Sequence, residues 1–287
     1  VKALYIDPLN EHIGKMIKDK KLYDKKLNID DVEIYLNAKH GPERNHRMAD
    51  EDAEQRAIDK NGGFMEKPID TESEDYQDRL DKWEEWRKDV DKEKERLLEK
   101  RRDYSGLTAL FEKQVEDKRD VEELEDAARD YCEAFETVVG KDMADELHRL
   151  VKALNEWSLK KAYMSGLLSN EQYNRVNGMY DYYVPLRGWH DNYAGDVYEY
   201  ISNGADTSTL QSVMRHAYGR KSRAGHILGT MASMANLAIV QGNKNLVAQK
   251  FMNCALNHND SGLLMASKQW YERTKDGDMV PVYPDFI

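Results

Sequence analysis

The chain has 287 residues, 34% of them charged and 40% apolar, with a formal net charge of −11, six prolines and two cysteines. That length suffices for one large core or two ordinary ones. Cys132 and Cys254 lie far apart with no CxxC partner, which argues against a disulfide framework or a cysteine-based zinc site and for a reducing, cytoplasmic setting. No run approaches the ~18 apolar residues of a membrane helix, and few Val/Ile/Thr alternations argue against a large sheet. The high charged fraction suits long helices with one polar face.

In chain order, residues 1–27 read as an extended lead-in and a lysine-rich helix carrying Ile13, Met16 and Ile17 on its apolar side. Asp30 and Glu33 have capping-box spacing and open a helix bearing Val32, Tyr35 and Leu36. His40-Gly41-Pro42 should kink or break that helix, because proline lacks an amide donor and restricts the residue before it. Residues 49–60 then form a separate polar helix ending at Gly62-Gly63, and GGFMEKPID makes a turn-rich connection.

Thr71 and Glu74 suggest a second capping box. Tyr76, Leu80, Trp83, Val90 and Leu97 trace a narrow apolar stripe on a long charged arm, with the seam interrupted by Arg87 and Lys94. After the Tyr104-Ser105-Gly106 turn, Leu124 to Val138 and Met143 to Trp157 mark two amphipathic helices. Ser169 and Gln172 form a third capping box. The segment DYYVPLRGWHDNY is too irregular for a helix and reads as an extended aromatic strap containing Arg187.

Residues 207–259 contain no Asp or Glu but six basic residues, Arg215, Arg220, Lys221, Arg223, Lys244 and Lys250. Gly225, Gly229 and Ser233 recur every four residues, a spacing that allows close helix packing. With Ile227 to Leu256 they predict a central helix pair, interrupted at Gly242-Asn243 and buried nearly all round. The run Met279 to Tyr283 reads as a strand. Val1 in place of an initiator Met and the apolar ending VPVYPDFI suggest a piece of a longer protein.

Three constellations are candidates for function. His40, Glu43, Arg44, Asn45 and His46 make a dense polar motif: either interhelical contacts that fix the kink, with Asn45 as a cap, or a binding site. His, Glu and His at steps of three are also ligand types for a divalent metal. Arg215, Arg220, Lys221 and Arg223, with Arg187, suit an anion or single-stranded nucleic acid, since cations before a helix N-terminus add to its amides and dipole. Pairing with the chain's own carboxylates is the competing use, and the acidic remainder argues against a general affinity for duplex. Tyr180, Tyr182, Tyr183, Trp189 and Tyr193 serve either packing or base stacking. No nucleophile elbow, phosphate loop or catalytic Cys/His pattern is present, so no cofactor is expected.

YLNAKHGPERN (35–45), the turn and helix from Ser165 to Tyr173, YYVPLRG (182–188), GRKSRA (219–224) and AIVQGNKNLVAQ (238–249) form an ordered set spanning roughly residues 35–250. The set resembles helical segments of large polyvalent proteins of bacterial phages and conjugative elements. Such segments lie among helicase-like, DNA-methylase-like, peptidase or toxin domains, so the resemblance implies a mobile-element protein linked to DNA processing. It supplies no catalytic residues here. The expectation is an all-α, multi-helix bundle of about ten helices: an N-terminal helical region (1–70), a long charged arm (71–106), a main bundle (107–259) and an extended tail (260–287) leading into another domain. Its expected partners are other domains of the parent protein and possible nucleic acid, with no membrane contact.

Overall fold

The computed structural model describes residues 1–117, 120–187, 219–220, 222–257, 270–273 and 279–282. It is mostly helical, with eight α-helices among the described residues. A π-helical turn at Lys2–Ile6 leads into α1 (Asp7–Ile17), which buries Leu9, Ile13 and Met16. A tight hairpin follows, β1 (Lys21–Leu22) against β2 (Lys25–Lys26), turning through Tyr23 and Asp24 at positive φ.

α2 (Ile29–Lys60) is 32 residues long and passes through Pro42. The expected break at His40-Gly41-Pro42 is absent, and residues 49–60 continue the same helix. Proline in a helix interior costs ~3 kcal/mol, and the packing of this face offsets it: His40 and Asn45 are fully buried, and Gly41 is pressed against the Leu107 side chain. The cap also lies two residues earlier than expected. Asn28 accepts from the amides of Asp30 and Asp31, and Asp31 accepts from the Asn28 amide at 2.9 Å. Glu33 is thereby left for another contact.

α3 (Tyr76–Leu98) runs back along the second half of α2. Its N-terminus lacks the expected Thr71–Glu74 box; Asp75 precedes it without a side-chain cap. Arg87 and Lys94 do not interrupt the seam: Arg87 bonds Glu54 at 3.2 Å, and Lys94 meets Asp50 at 2.9 Å. Ala57, Trp86 and Val90 form the apolar contact between these ion pairs.

Gly106, at φ +82°, starts the short α4 (Leu107–Phe111). α5 (Val121–Val139) and α6 (Lys141–Met164) match their sequence patterns closely and meet at Gly140. α7 (Asn170–Val176) has the expected box: the Ser169 amide donates to Gln172 at 3.0 Å and the Gln172 amide to Ser169 Oγ at 3.1 Å. The main core is built from α1, α2, α4, α5 and α6, joined by Ile227, Met231 and Ala235 from a later helix, with Tyr35 stacked on Phe135 at 4.3 Å.

α8 (Ile227–Asn257) is one continuous helix, not an interrupted pair. Ile227, Met231, Ala235 and Ala238 are buried, but Val247, Phe251 and Met252 are 68%, 57% and 55% exposed. The expectation of a helix buried all round therefore fails over its second half. The close approach is also elsewhere. Gly225 precedes the helix and Gly229 is open, whereas a Cβ on Gly242 would come within 2.6 Å of Ser165 Oγ. Gly242 is therefore the point where α8 crosses the end of α6, not a break. Among the described residues, α2 and α8 are thus each one helix where the sequence predicts two. β3 (Trp270–Arg273) and β4 (Met279–Val282) pair antiparallel, in keeping with the strand read at Met279. None of the described helices is long and apolar enough to cross a membrane.

Candidate functional site

The middle of α2, Tyr35 to Asn45, carries three buried polar residues, Asn37, His40 and Asn45, the last two fully buried. On a helix, residues four apart lie one above the other. Tyr35, Lys39 and Glu43 thus make one polar row, and His40 and Arg44 a second beside it. Both rows meet the segment 180–183, and the first also reaches α5 through Tyr35 and Lys39.

Asn45 is fully buried, and its Oδ1 accepts from the amides of Tyr104 at 2.8 Å and Ser105 at 3.0 Å. It fixes the turn before α4 rather than capping a helix. Glu43 accepts from the amides of Asp181 at 3.3 Å and Tyr182 at 3.1 Å. Burial pushes its carboxyl pKa up, but those two amides outweigh burial and hold it below the ordinary value. His40 lies under the aromatic segment, edge-on to Tyr180 at 4.8 Å and Tyr183 at 5.5 Å. Its Nδ1 stands 4.0 Å from Glu43, too far for a hydrogen bond, and neither ring nitrogen has a partner. Burial pushes its pKa down, so the ring is neutral at physiological pH.

One turn earlier, Lys39 and Tyr35 both reach Glu136 on α5, at 2.7 and 2.9 Å. His148 Nε2 lies 2.9 Å from the Tyr35 hydroxyl. Since that hydroxyl gives its only hydrogen to Glu136, His148 must donate through Nε2–H. Burial, followed by the Lys39 charge, pulls the His148 pKa down to about 4. Tyr182 closes this network, edge-on to His148 at 4.8 Å.

His46 belongs to another side of the helix. It is exposed, 3.3 Å from Glu125 and 2.7 Å from Arg101. His40, Glu43 and His46 therefore do not converge, and no group of three His, Cys, Asp or Glu among the described residues is placed to hold a metal ion.

Arg215 and Lys221, with Trp189 and Tyr193 of the strap, lie outside the described residues. Arg220 folds back on its own loop: Nε donates to the Ser222 carbonyl at 2.7 Å and Nη2 to the Arg223 carbonyl at 3.0 Å. Arg223, exposed, borders a shallow depression with Glu33, Asn37 and Ile227. The Glu33 carboxylate accepts from the Leu228 amide at 3.2 Å, so the chain's own acid occupies the first turn of α8. Burial there pushes the Glu33 pKa up. Arg187 is exposed, and its carbonyl accepts from the Gly225 amide at 2.9 Å.

The fold thus brings together stretches that are separate in sequence: 35–45 on α2, the turn at 104–106, the segment 180–187 and the loop at 219–225. Residue spacing missed Glu33, Asn37, Lys39, Tyr104, Glu136 and His148 as parts of this centre. The two polar rows at four-residue spacing inside an otherwise core-facing helix were the available signal for Lys39. No known protein family, curated protein or solved structure matches the chain.

Proposed function

We propose that this chain is a non-catalytic helical scaffold, an interaction module of a larger phage- or conjugative-element-type protein that holds neighbouring DNA-processing domains. The reading rests on how the central motif uses its side chains. Asn45, Glu43 and Glu33 each accept main-chain amides from segments 59 to 195 residues away. Side chains engaged in this way organise a fold rather than attack a substrate. The apolar residues exposed at the end of α8 add contact surface of the kind such a module needs.

The test is to assay the purified chain for nuclease, nucleotide-hydrolysing and methyl-transfer activity, alongside His40→Ala and Glu43→Ala. The expected result is no turnover in any protein and a lowered melting temperature in both variants. A turnover abolished by either substitution, with the circular dichroism spectrum unchanged, overturns the reading.

A further inference from the structure

Among the described residues, Arg44 is unlike the other half-buried cations. Lys39 meets Glu136, and Lys94 meets Asp50. Arg44 has no hydrogen bond or ion pair with any described residue, and its Nε is buried without a partner among them. Burial accordingly pushes its pKa down. Asp103 lies within electrostatic reach of it, but neither Asp103 nor Glu43 pairs with it, and both accept main-chain amides instead. Asp103 takes the amides of Ser105, Gly106 and Thr108, and Glu43 takes those of Asp181 and Tyr182.

A second arginine approaches the same place. Arg220 donates its amide to the Tyr104 carbonyl at 3.0 Å and pairs with Ser105 as an isolated bridge, while Asn45, next to Arg44, holds the same two residues from the other side. The Arg220 side chain lies over this turn, where a Cβ on Gly106 would come within 3.1 Å of its Cγ. Burial and then the Arg44 charge depress the Arg220 pKa, and Tyr183 lies within electrostatic reach of both Arg44 and Arg187. The unpartnered polar atoms nearby are donors too: Asn45 Nδ2 and one ring nitrogen of His40, both on fully buried side chains.

Arg44 and Arg220, whose Nε and Nη2 go to the Ser222 and Arg223 carbonyls, thus lie within electrostatic reach of each other beside spare N–H donors. Among the described residues no carboxylate is bonded to either. Leaving a buried charge unpaired is costly, and the guanidinium fork matches the oxygens of a phosphate group. We propose that Arg44, with Arg220 and Asn45 Nδ2 beside it, forms a receptor for a phosphate-type oxyanion, the phosphate monoester end of a small ligand. The site lies between α2 and Arg220, not at the first turn of α8, where Glu33 already sits. It goes beyond the scaffold reading and stands independently of it.

The test uses the full chain, titrated with inorganic phosphate, a nucleoside 5′-monophosphate and a single-stranded oligonucleotide lacking terminal phosphates, at constant ionic strength set with chloride. Melting temperature and calorimetric heat are read. Phosphate is expected to raise the melting temperature beyond chloride, and the monophosphate to do so at lower concentration. Arg44→Met should weaken the phosphate Kd by at least about tenfold, as loss of a bidentate charge-assisted contact predicts. In phosphate-free buffer it should melt no lower than the parent, because an unpaired buried cation has gone. If Arg44→Met does not fold, Arg220→Met carries the same comparison, and Arg56→Gln, an exposed partner of Asp52, is the unaffected control. Equal phosphate affinity in parent and variant, or no response beyond chloride, overturns the site. Oligonucleotide binding as tight as the monophosphate overturns the monoester assignment in favour of a phosphodiester backbone.

Discussion

Asn45 shows how much of this structure depends on single acceptors. Its Oδ1 is shared by two buried amides, those of Tyr104 and Ser105. Truncation to alanine leaves the Tyr104 amide without a partner, while the Ser105 amide keeps Asp103 Oδ1 at 2.9 Å; an orphaned buried group costs ~1–3 kcal/mol. Asn45→Ala is therefore expected to lower the unfolding free energy by about 1–3 kcal/mol in a urea titration. Asn45→Asp, which keeps an acceptor at the same place, should lose less. A loss below the cost of one orphaned amide would show that water replaces the side chain. At this scale the sequence was partly legible. The density of polar residues from His40 to Asn45 marked the motif, but not what each residue meets, because the partners lie at least 59 residues away and spacing reports only neighbours along a helix.

Among the elements, α2 decides the architecture, and Gly41 decides how α2 packs. Glycine in a helix interior is less favourable than alanine by ~1 kcal/mol, so Gly41→Ala should stabilise an isolated α2. In the folded chain a Cβ there would come within 2.7 Å of Leu107 Cδ2, and Leu107 is fully buried. Overpacking a core costs about 1–3 kcal/mol, so the packing loss exceeds the propensity gain. The expected outcome is a lower melting temperature for Gly41→Ala, restored in part by Leu107→Val. A rise for Gly41→Ala alone would mean that Leu107 moves aside freely. Local chemistry favoured a break at Gly41-Pro42, and a tertiary contact with α4 explains why there is none. α5, α6 and the Ser169 cap were legible because their signals are local: one apolar face at helical spacing, and a cap three residues long. α8 misled for the opposite reason. Its apolar residues run along its whole length, but whether one is covered depends on which elements reach it, and beyond the crossing with the end of α6 at Gly242 residues such as Val247 and Phe251 are exposed.

For the molecule as a whole, the buried histidines tie stability to acidity. The unfolded chain protonates His148 near the ordinary imidazole value of 6.5, the folded chain only near about 4. Above that window the two states bind protons equally. As pH falls through it, the unfolded state binds more, and stability is lost until the folded state also protonates. A shift of this size corresponds to about 3 kcal/mol, and His40 is displaced in the same direction. Urea unfolding from about pH 7 to about pH 5 should show falling stability. His148→Gln, which keeps a donor toward Tyr35, should flatten that dependence; an unchanged slope would exclude His148 as its source. One consequence of α2 concerns the order in which the chain is made. Glu33 waits for the amide of Leu228, 195 residues later, and Glu43 for that of Tyr182, 139 residues later. At about 5–20 residues per second, the first helix of the centre is complete roughly ten to thirty seconds before its last partner emerges from the ribosome. Through that interval its polar rows remain in water, and α2 can be dried and locked only when the late segments arrive to cover it.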